Sequence, residues 1–350
     1  MTTPTFPSRL PNVGTTIFTV MSALAVQHKA VNLGQGFPDF DCDPKLVDGV
    51  TTAMQQGHNQ YPPMTGIAPL REAIAAKIEA LYARRYDAAA EITVTAGATV
   101  VRVPLTPGTF RPDFDKIGAA LSPKTRAIII NSPNNPSGTV WSPEDMRRLD
   151  ELLAPTNVLV ISDEVYEHMV YAPLRHESVA RYPGLAARSF IVSSFGKTYH
   201  VTGWKVGYVA APAALTAEFR KVHQFNVFTV NTPMQHGLAS YMQDAAPYLN
   251  LPAFYQAKRD LFREGLAKTK FRLLPCEGTY FQCVAIDQLA VPERDLPEAE
   301  FCQWLTREVG VAAIPLSAFY GDGFDQKVVR FCFAKKDETL HTALVRLKSL

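Results

Sequence analysis

The sequence lacks the features that mark several classes of protein. No segment approaches the ~18 consecutive apolar residues that a membrane span requires, and residues 1–20 have no basic region followed by an apolar stretch, as a signal peptide would. The formal net charge of the 350 residues is only +2, with no run of Lys or Arg, which argues against a nucleic-acid or membrane surface. We therefore expect a soluble, cytoplasmic protein that binds neither nucleic acid nor membrane.

Cysteine is also scarce. The sequence has five cysteines, which form no C-x-x-C pair and no cluster with other metal ligands. They are Cys42, Cys276, Cys283, Cys302 and Cys332. Because disulfides are rare in cytosolic proteins, we predict reduced cysteines and no bound metal.

The chain does have enough apolar sequence for a large core. Hydrophobic residues make up 47% of it, and 350 residues suit two domains. Between residues 127 and 195, short apolar runs alternate with helical segments, which predicts a parallel sheet covered on both faces. After Phe254 strand-like and helical segments mix, which indicates a second, α+β layer. The predicted fold class is therefore α/β.

Hydrophobic spacing predicts the individual elements. Helices are expected at 16–28, 70–82, 143–153, 254–268 and 298–309, the second of them opened by Pro69, a favoured first-turn residue. Strands are expected at 127–130, 158–161, 189–195, 272–275, 279–286, 311–316 and 328–334. The local pattern alone predicts a tight hairpin over 92–105.

Four segments next to or within apolar runs carry polar groups. They are NSPNNPSG (131–138), SDEVY (162–166), SSFGKTYHVTGWKVGY (193–208) and VVRFCFA (328–334), in which Arg330 interrupts an apolar strand. Taken singly, each has an ordinary explanation: a loop, a helix N-cap, a solvated lysine, or an arginine that reaches out to solvent. Open α/β sheets, however, bind ligands at the ends of their strands.

Together the segments supply the groups that one kind of cofactor needs. An electron-sink cofactor requires a lysine for its covalent link, an anion that keeps its ring nitrogen protonated, donors to its phenolic oxygen, and a cationic phosphate cup. Lys197, Asp163, Asn135 with Tyr166, and Ser194 with Lys205 fill these four requirements in that order.

The sequence resembles the class I aminotransferases of fold type I, which use pyridoxal 5'-phosphate, and is most like their methionine and kynurenine subgroup. The resemblance runs over nearly the whole chain. It rests on NLGQGFPDF, NQYPPMTG, TVTAGAT, NNPSG, SDEVYEH, SSFGKTYHVTGWKVGY, CEGTYF and VVRFCFAKK, in the family's order. It implies a large domain with a mostly parallel sheet (41–253), a smaller α+β domain (254–350), and an N-terminal arm with part of the small domain (1–40).

The resemblance also implies roles for residues around the cofactor. Lys197 would form the covalent link and carry the proton, Asp163 would pair with the pyridine nitrogen, and Asn135 and Tyr166 would bond the phenolic oxygen. Ser194, Lys205 and the Ala98–Thr99 turn would hold the phosphate. Tyr61 would reach the phosphate of a neighbouring subunit, which makes the protein a homodimer. Arg330, helped by the Gly36 backbone, by Asn135 and by Phe18, would bind the substrate.

The resemblance breaks after Thr99. ITVTAGAT (92–99) runs directly into VVRVPL (100–105), whereas in the family this turn opens a helix whose N-terminus binds the phosphate. A strand and the aromatic residue that stacks on the cofactor follow. On the order of 35 residues are absent by comparison, enough for a helix and a strand. Either the chain lacks this segment, in which case we expect weak cofactor binding, or the written sequence omits residues of the protein.

The implied activity is transfer of an amino group from a hydrophobic or sulfur-containing L-amino acid to a 2-oxo acid. Two alternatives stay open: a cysteine-S-conjugate β-lyase, and a non-enzymatic relative that binds little cofactor because of the missing segment. No second arginine is recognisable for a dicarboxylate substrate, and Ile17, Phe18, Tyr61 and Phe319 would add apolar surface. We therefore expect methionine, phenylalanine, tyrosine, leucine or kynurenine as the amino donor rather than aspartate.

Overall fold

The computed structural model describes residues 16–60, 62–95 and 103–350. Its helices are α1 (Ile17–Gln27), α2 (Pro44–Gln55), α3 (Ala68–Tyr82), α4 (Phe114–Ala120), α5 (Pro143–Leu153), α6 (Pro183–Ala186), α7 (Phe195–Thr198), α8 (Ala213–Asn226), α9 (Thr232–Tyr241), α10 (Ala246–Leu249), α11 (Leu251–Leu266), α12 (Glu298–Trp304) and α13 (Asp337–Leu347). Its strands are β1 (Val31–Asn32), β2 (Ile92–Thr95), β3 (Ala127–Asn131), β4 (Leu159–Asp163), β5 (Ser189–Ser194), β6 (Gly207–Ala210), β7 (Arg272–Leu273), β8 (Phe281–Ala285), β9 (Val311–Ala312), β10 (Ile314–Pro315) and β11 (Val328–Cys332).

Local sequence explains where several of these helices begin. Ser142 caps α5 by accepting from the Asp145 N–H, and Asp145 accepts from the Ser142 N–H in return, which satisfies two donors that a helix start leaves free. Pro143 stands in the first turn of α5, and Pro69 in that of α3, because proline has no N–H to lose there. Both helices confirm the predicted segments.

The large sheet has the strand order β2-β6-β5-β4-β3. The neighbours β3, β4 and β5 run parallel, and only β6 runs against β5 and β2. The expected mostly parallel sheet is therefore confirmed. In register, Asn131 lies opposite Asp163, and Asp163 opposite Val192. The carboxyl ends of the parallel strands β3, β4 and β5 thus lie side by side at one end of the sheet, where such sheets bind ligands.

A second, antiparallel sheet has the order β10-β11-β8-β7, and the short pair β1–β9 joins the beginning of the chain to its end. One hydrophobic cluster gathers residues of 21–33 and 251–347, together with a few side chains from 166–171, while another lies wholly within 46–248. The domain boundaries at 40 and 253 stay a prediction.

The predicted hairpin over 92–105 is wrong. Residues 92–95 form β2, which pairs with the distant β6 rather than with the next segment, and 103–105 form no strand. At the opposite edge of the sheet, β3 pairs with β4 alone among the strands of the described ranges. Across those same ranges, no helix combines the length and the apolar character that a membrane crossing needs.

Candidate active site

Lys197 lies just beyond the carboxyl end of β5, at the end of the large sheet where such sheets bind ligands. It belongs to the four-residue helix α7, which begins directly after β5. Its predecessor Gly196 packs tightly, since a Cβ there would stand 2.9 Å from the Cα of Thr202. Burial, and then the nearby charge of Lys205, lower the pKa of Lys197. The Lys197 Nζ lies 5.9 Å from the centre of the Tyr166 ring.

Asp163 and Tyr166 lie at the end of β4 and in the turn that follows it. Asp163 is the last residue of that strand, and its Oδ1 accepts a hydrogen bond from the Val165 N–H at 3.3 Å. Burial raises the pKa of the Asp163 carboxyl, while the positive charge of Lys197 acts in the opposite direction. Tyr166 is buried, which raises the pKa of its hydroxyl, and that hydroxyl is hydrogen-bonded to Tyr280.

Among the described residues, Arg330 is the largest side chain that is almost fully buried, with 1% of its surface exposed. It stands in the middle of β11. Its Nη1 donates to the Asn135 Oδ1 at 2.6 Å and its Nη2 to the Gly34 carbonyl at 3.1 Å. The Arg330 Nε has no hydrogen-bond partner among the described residues. A buried donor without a partner is costly, so this atom is available for a ligand.

Three phenylalanine rings surround the Arg330 guanidinium. Its central carbon lies 3.9 Å from the ring centre of Phe281, 5.2 Å from that of Phe319 and 5.6 Å from that of Phe18. Phe18 and Phe319 also meet edge to face at 5.9 Å. The cation therefore sits in an apolar surround, where pairing with a carboxylate is electrostatically stronger than in water.

Sequence reasoning missed the contacts of Gly34 and Tyr280. The Tyr280 hydroxyl donates to the Gly36 carbonyl at 3.0 Å, and a Cβ on Gly36 would stand 2.7 Å from the Phe281 ring. Gly36 thus lies against the same aromatic group as Arg330, but the carbonyl that Arg330 contacts belongs to Gly34. Both contacts fall in quoted motifs, NLGQGFPDF and CEGTYF, whose spacing alone does not reveal them.

The remaining predicted residues are divided by what the structure describes. Ser194 ends β5 and lies opposite Gly207 in register. Lys205 follows a short 3-10 turn with a left-handed backbone, at φ 57°. Both are close to Lys197: Ser194 directly precedes the helix α7, and the charge of Lys205 acts on the pKa of Lys197. Tyr61, Ala98 and Thr99 lie outside the described residues, so their predicted roles stay predictions.

The donor set fits pyridoxal 5'-phosphate. A half-buried amine of lowered pKa, a carboxylate at a strand end, a tyrosine hydroxyl and an amide lie near one another, with a serine and a second lysine beside them. A metal ion would be less well served, since no group of three potential ligands occurs among the described residues.

Comparison with known proteins agrees with this donor set. The family model described as aminotransferase class I and II matches residues 83–347. Methionine aminotransferase of Escherichia coli (strain K12) is 48% identical over 381 aligned residues that cover 98% of each chain. Kynurenine–oxoglutarate transaminase 3 of Rattus norvegicus is 31% identical in an alignment that covers 96% of this chain and 88% of that relative.

A solved structure shares the whole fold. The crystal structure of YbdL from Escherichia coli, described as having a methionine aminotransferase function, matches with a TM-score of 0.94 and 47% identity. The match covers 99% of this chain and 100% of that one. The 381 positions of the sequence alignment exceed the 350 residues of this chain, so part of the relative stands opposite gaps. These relatives carry aminotransferase names, which gives no support to the lyase or non-enzymatic alternative.

Proposed function

The chain belongs to the aminotransferases of class I and II and is a pyridoxal-phosphate enzyme, and we propose that its amino donor is a hydrophobic or sulfur-containing L-amino acid. Methionine, the aromatic amino acids and kynurenine are the donors we expect, with a 2-oxo acid as acceptor. Two of the relatives above are named for methionine and kynurenine.

One observation carries the proposal: a buried arginine inside a ring of three phenylalanines, whose Nε has no partner in the part of the chain that the structure describes. The planar guanidinium suits an α-carboxylate, which it can bind through two parallel hydrogen bonds. The rings of Phe18 and Phe319 would then face the substrate side chain. The side-chain carboxylate of aspartate would lose its hydration between these rings, and no second cation among the described residues is assigned to pair with it. Aspartate should therefore bind poorly.

The cofactor, when bound, supplies the electron sink that makes the substrate α-proton acidic. We propose that Lys197 Nζ accepts that proton and returns it, because its lowered pKa leaves a larger neutral fraction at pH 7. Asp163 would hold a proton on the cofactor's ring nitrogen, since an adjacent carboxylate favours the protonated base. Asn135 and Tyr166 would donate to the phenolic oxygen, and Ser194 and Lys205 to the phosphate.

The assembly and the cellular site are also proposals. We propose a homodimer in which Tyr61 of each subunit completes the phosphate site of the other, and a cytoplasmic location. The resemblance to dimeric aminotransferases supports the first, and the five free cysteines, which are usual in the reducing cytosol, support the second.

The test is a panel of amino donors with one 2-oxo acid in excess. We expect kcat/KM for methionine, phenylalanine and kynurenine to exceed that for aspartate by at least about tenfold, because the pocket offers apolar surface and one cation. Preference for aspartate would contradict the proposed substrate class. Thiol and ammonia release from a cysteine conjugate without any oxo acid would instead favour the lyase.

A further inference from the structure

Glu298 is a fully buried carboxyl group that has not been assigned to the cofactor or to the substrate. It is the first residue of α12 and none of its surface is exposed. No lysine, arginine or histidine of the described ranges lies within ion-pair distance of it. Burial raises the pKa of the Glu298 carboxyl, and hydrogen bonds from backbone N–H groups act in the opposite direction. A carboxyl group held out of water in this way requires hydrogen-bond partners.

Its main-chain partners are three backbone N–H groups, and the Ser317 side chain is also hydrogen-bonded to it. The Glu298 Oε2 accepts from the Ser317 N–H at 2.5 Å, and its Oε1 accepts from the Gln326 and Val328 N–H groups, both at 2.8 Å. The three donors satisfy both oxygens of the carboxyl group. The three bonds explain how this carboxylate is tolerated in the interior.

The three donors stand at the two ends of one loop. Residues 316–327, called here the wall loop, connect β10 to β11, with Ser317 at their start and Gln326 near their end. The attachment is reciprocal, because the Asp325 Oδ2 accepts from the Glu298 N–H at 2.9 Å. One side chain thus ties both ends of the wall loop to the start of α12.

The wall loop reaches the candidate substrate site through Phe319. The loop also lines a cavity of about 590 Å³ that Asn135 borders but that Arg330 and Lys197 do not. Phe319, between the two tied ends, lies over the Arg330 guanidinium and against Phe18. The Val328 N–H that Glu298 holds is two residues before Arg330 on the same strand.

We infer that Glu298 is a positioning residue for substrate specificity: by holding the ends of the wall loop, its carboxylate sets the distance of the Phe319 ring from Arg330. This inference rests on the proposed function, because it assigns the wall loop to the donor's side chain. Large donors, which would contact Phe319, depend on that distance. A donor with a methyl side chain depends much less on it.

The test compares Glu298→Gln with the unaltered enzyme, loaded with cofactor. A glutamine amide keeps the size of the side chain but turns a donor toward one of the three N–H groups, leaving it unsatisfied. We expect KM for phenylalanine and methionine to rise about tenfold, with KM for alanine, kcat and cofactor affinity changing less than about twofold. Glu300→Gln, an exposed position on the same helix, is the matched control and should change none of them.

Two further measurements keep the outcomes distinct. Phe319→Ala should weaken large donors in the same way, and adding Glu298→Gln to it should cost nothing more for those donors. Amide hydrogen exchange of 316–328 should speed up in Glu298→Gln without substrate, which tests the loop attachment even if the proposed function fails. If Glu298→Gln does not fold, Glu298→Asp, too short to reach all three donors, takes its place.

Equal KM increases for alanine and phenylalanine, or unchanged exchange in the wall loop, would overturn the inference. Failure of both Glu298 variants to fold would overturn it too, since the residue would then support the fold as a whole. Inactivity of the unaltered enzyme toward every amino donor would instead refute the proposed function. The hydrogen-exchange experiment would still test the attachment of the wall loop, because it needs no substrate.

Discussion

At the scale of single residues, the half-buried Asp163 and the buried Arg330 have fewer hydrogen-bond partners than they can use. Asp163 accepts one backbone hydrogen bond at 3.3 Å, and the Arg330 Nε has no partner among the described residues. Both features oppose folding of the empty protein. Both would be relieved by a ligand that brings a protonated ring nitrogen and a carboxylate.

Replacement of Asp163 should therefore separate stability from activity. Burial raises the pKa of Asp163 above its unfolded value, so the folded state is penalised as the pH rises through that raised pKa, and the penalty is absent at low pH. Asp163→Asn removes the penalty. Without cofactor, the variant should unfold at a higher temperature than the unaltered protein at pH 7, and the difference should vanish below about pH 4.

Turnover of Asp163→Asn should fall by about 10³-fold or more, since an amide cannot keep the ring nitrogen protonated. Calorimetry of the apoprotein and steady-state rates check the two halves. Asp295→Asn, at an exposed position, serves as the control. A variant that is less stable than the unaltered protein at pH 7, or one with near-normal turnover, would contradict this account of Asp163.

Arg330→Lys should raise KM for every amino donor by at least about tenfold while leaving cofactor affinity nearly unchanged. A lysine keeps the charge but cannot form two parallel bonds to a carboxylate. Donor saturation curves and cofactor titration measure the two effects, with the exposed Arg307→Lys as control. Loss of cofactor in the absence of substrate would indicate that Arg330 supports the fold rather than the substrate.

At the scale of elements, a buried ion pair ties α3 to the strands that carry the site. The Lys77 Nζ lies 2.8 Å from the Glu167 Oε1 and 2.9 Å from the Tyr208 hydroxyl. Glu167 also accepts from the Ser193 hydroxyl at 2.7 Å and from the Tyr82 hydroxyl. Burial alone would raise the pKa of Glu167, but Lys77, His168 and the Tyr82 hydroxyl lower it. The carboxylate is therefore charged in the folded state.

Lys77→Met should leave that charge without its cation and destabilise the protein by about 3 kcal/mol or more. Adding Glu167→Gln should recover part of the loss, because the second change removes the uncompensated charge. Lys221→Met breaks an exposed pair with Glu218 and should cost less than about 1 kcal/mol. Urea unfolding measures all of these variants. Equal small losses for Lys77→Met and Lys221→Met would show that the buried pair is unimportant.

The sequence predicts elements that rest on local signals and misses those that rest on distant partners. The helix at 143–153 has its cap, its proline and its apolar face within eleven residues, and it is predicted to the residue. The error at 92–105 arises because β2 finds its partner in β6, more than a hundred residues away. The same holds for the site. Lys197 and Asp163 are predicted from sequence motifs, whereas the hydrogen bonds from Ser317, Gln326 and Val328 to Glu298 are recognised only in the folded structure.

At the scale of the whole molecule, the large sheet ends at β3 without a described neighbour on its outer side. Beside that edge lies a cavity of about 520 Å³, lined by Val103, Leu105 and the isoleucines of β3. In the sequence, the predicted break after Thr99 comes a few residues before Val103, one of these lining residues, and the alignment with the Escherichia coli relative is longer than this chain. Intact-mass measurement of the purified protein would decide whether the segment is absent. If it is absent, cofactor should bind at least about tenfold more weakly than with a restored helix and stacking aromatic residue.

The central claim, a transaminase that works through Lys197, is tested most directly by one half of its reaction. The protein saturated with pyridoxal 5'-phosphate is mixed with L-methionine alone, and the absorbance of the lysine-bound cofactor is followed while the 2-oxo acid is quantified. We predict that this absorbance disappears with one equivalent of 2-oxo acid per bound cofactor and returns when a second 2-oxo acid is added. Lys197→Ala should lack the absorbance from the start. Unchanged absorbance with methionine, or continuing release of ammonia without an added oxo acid, would contradict the account.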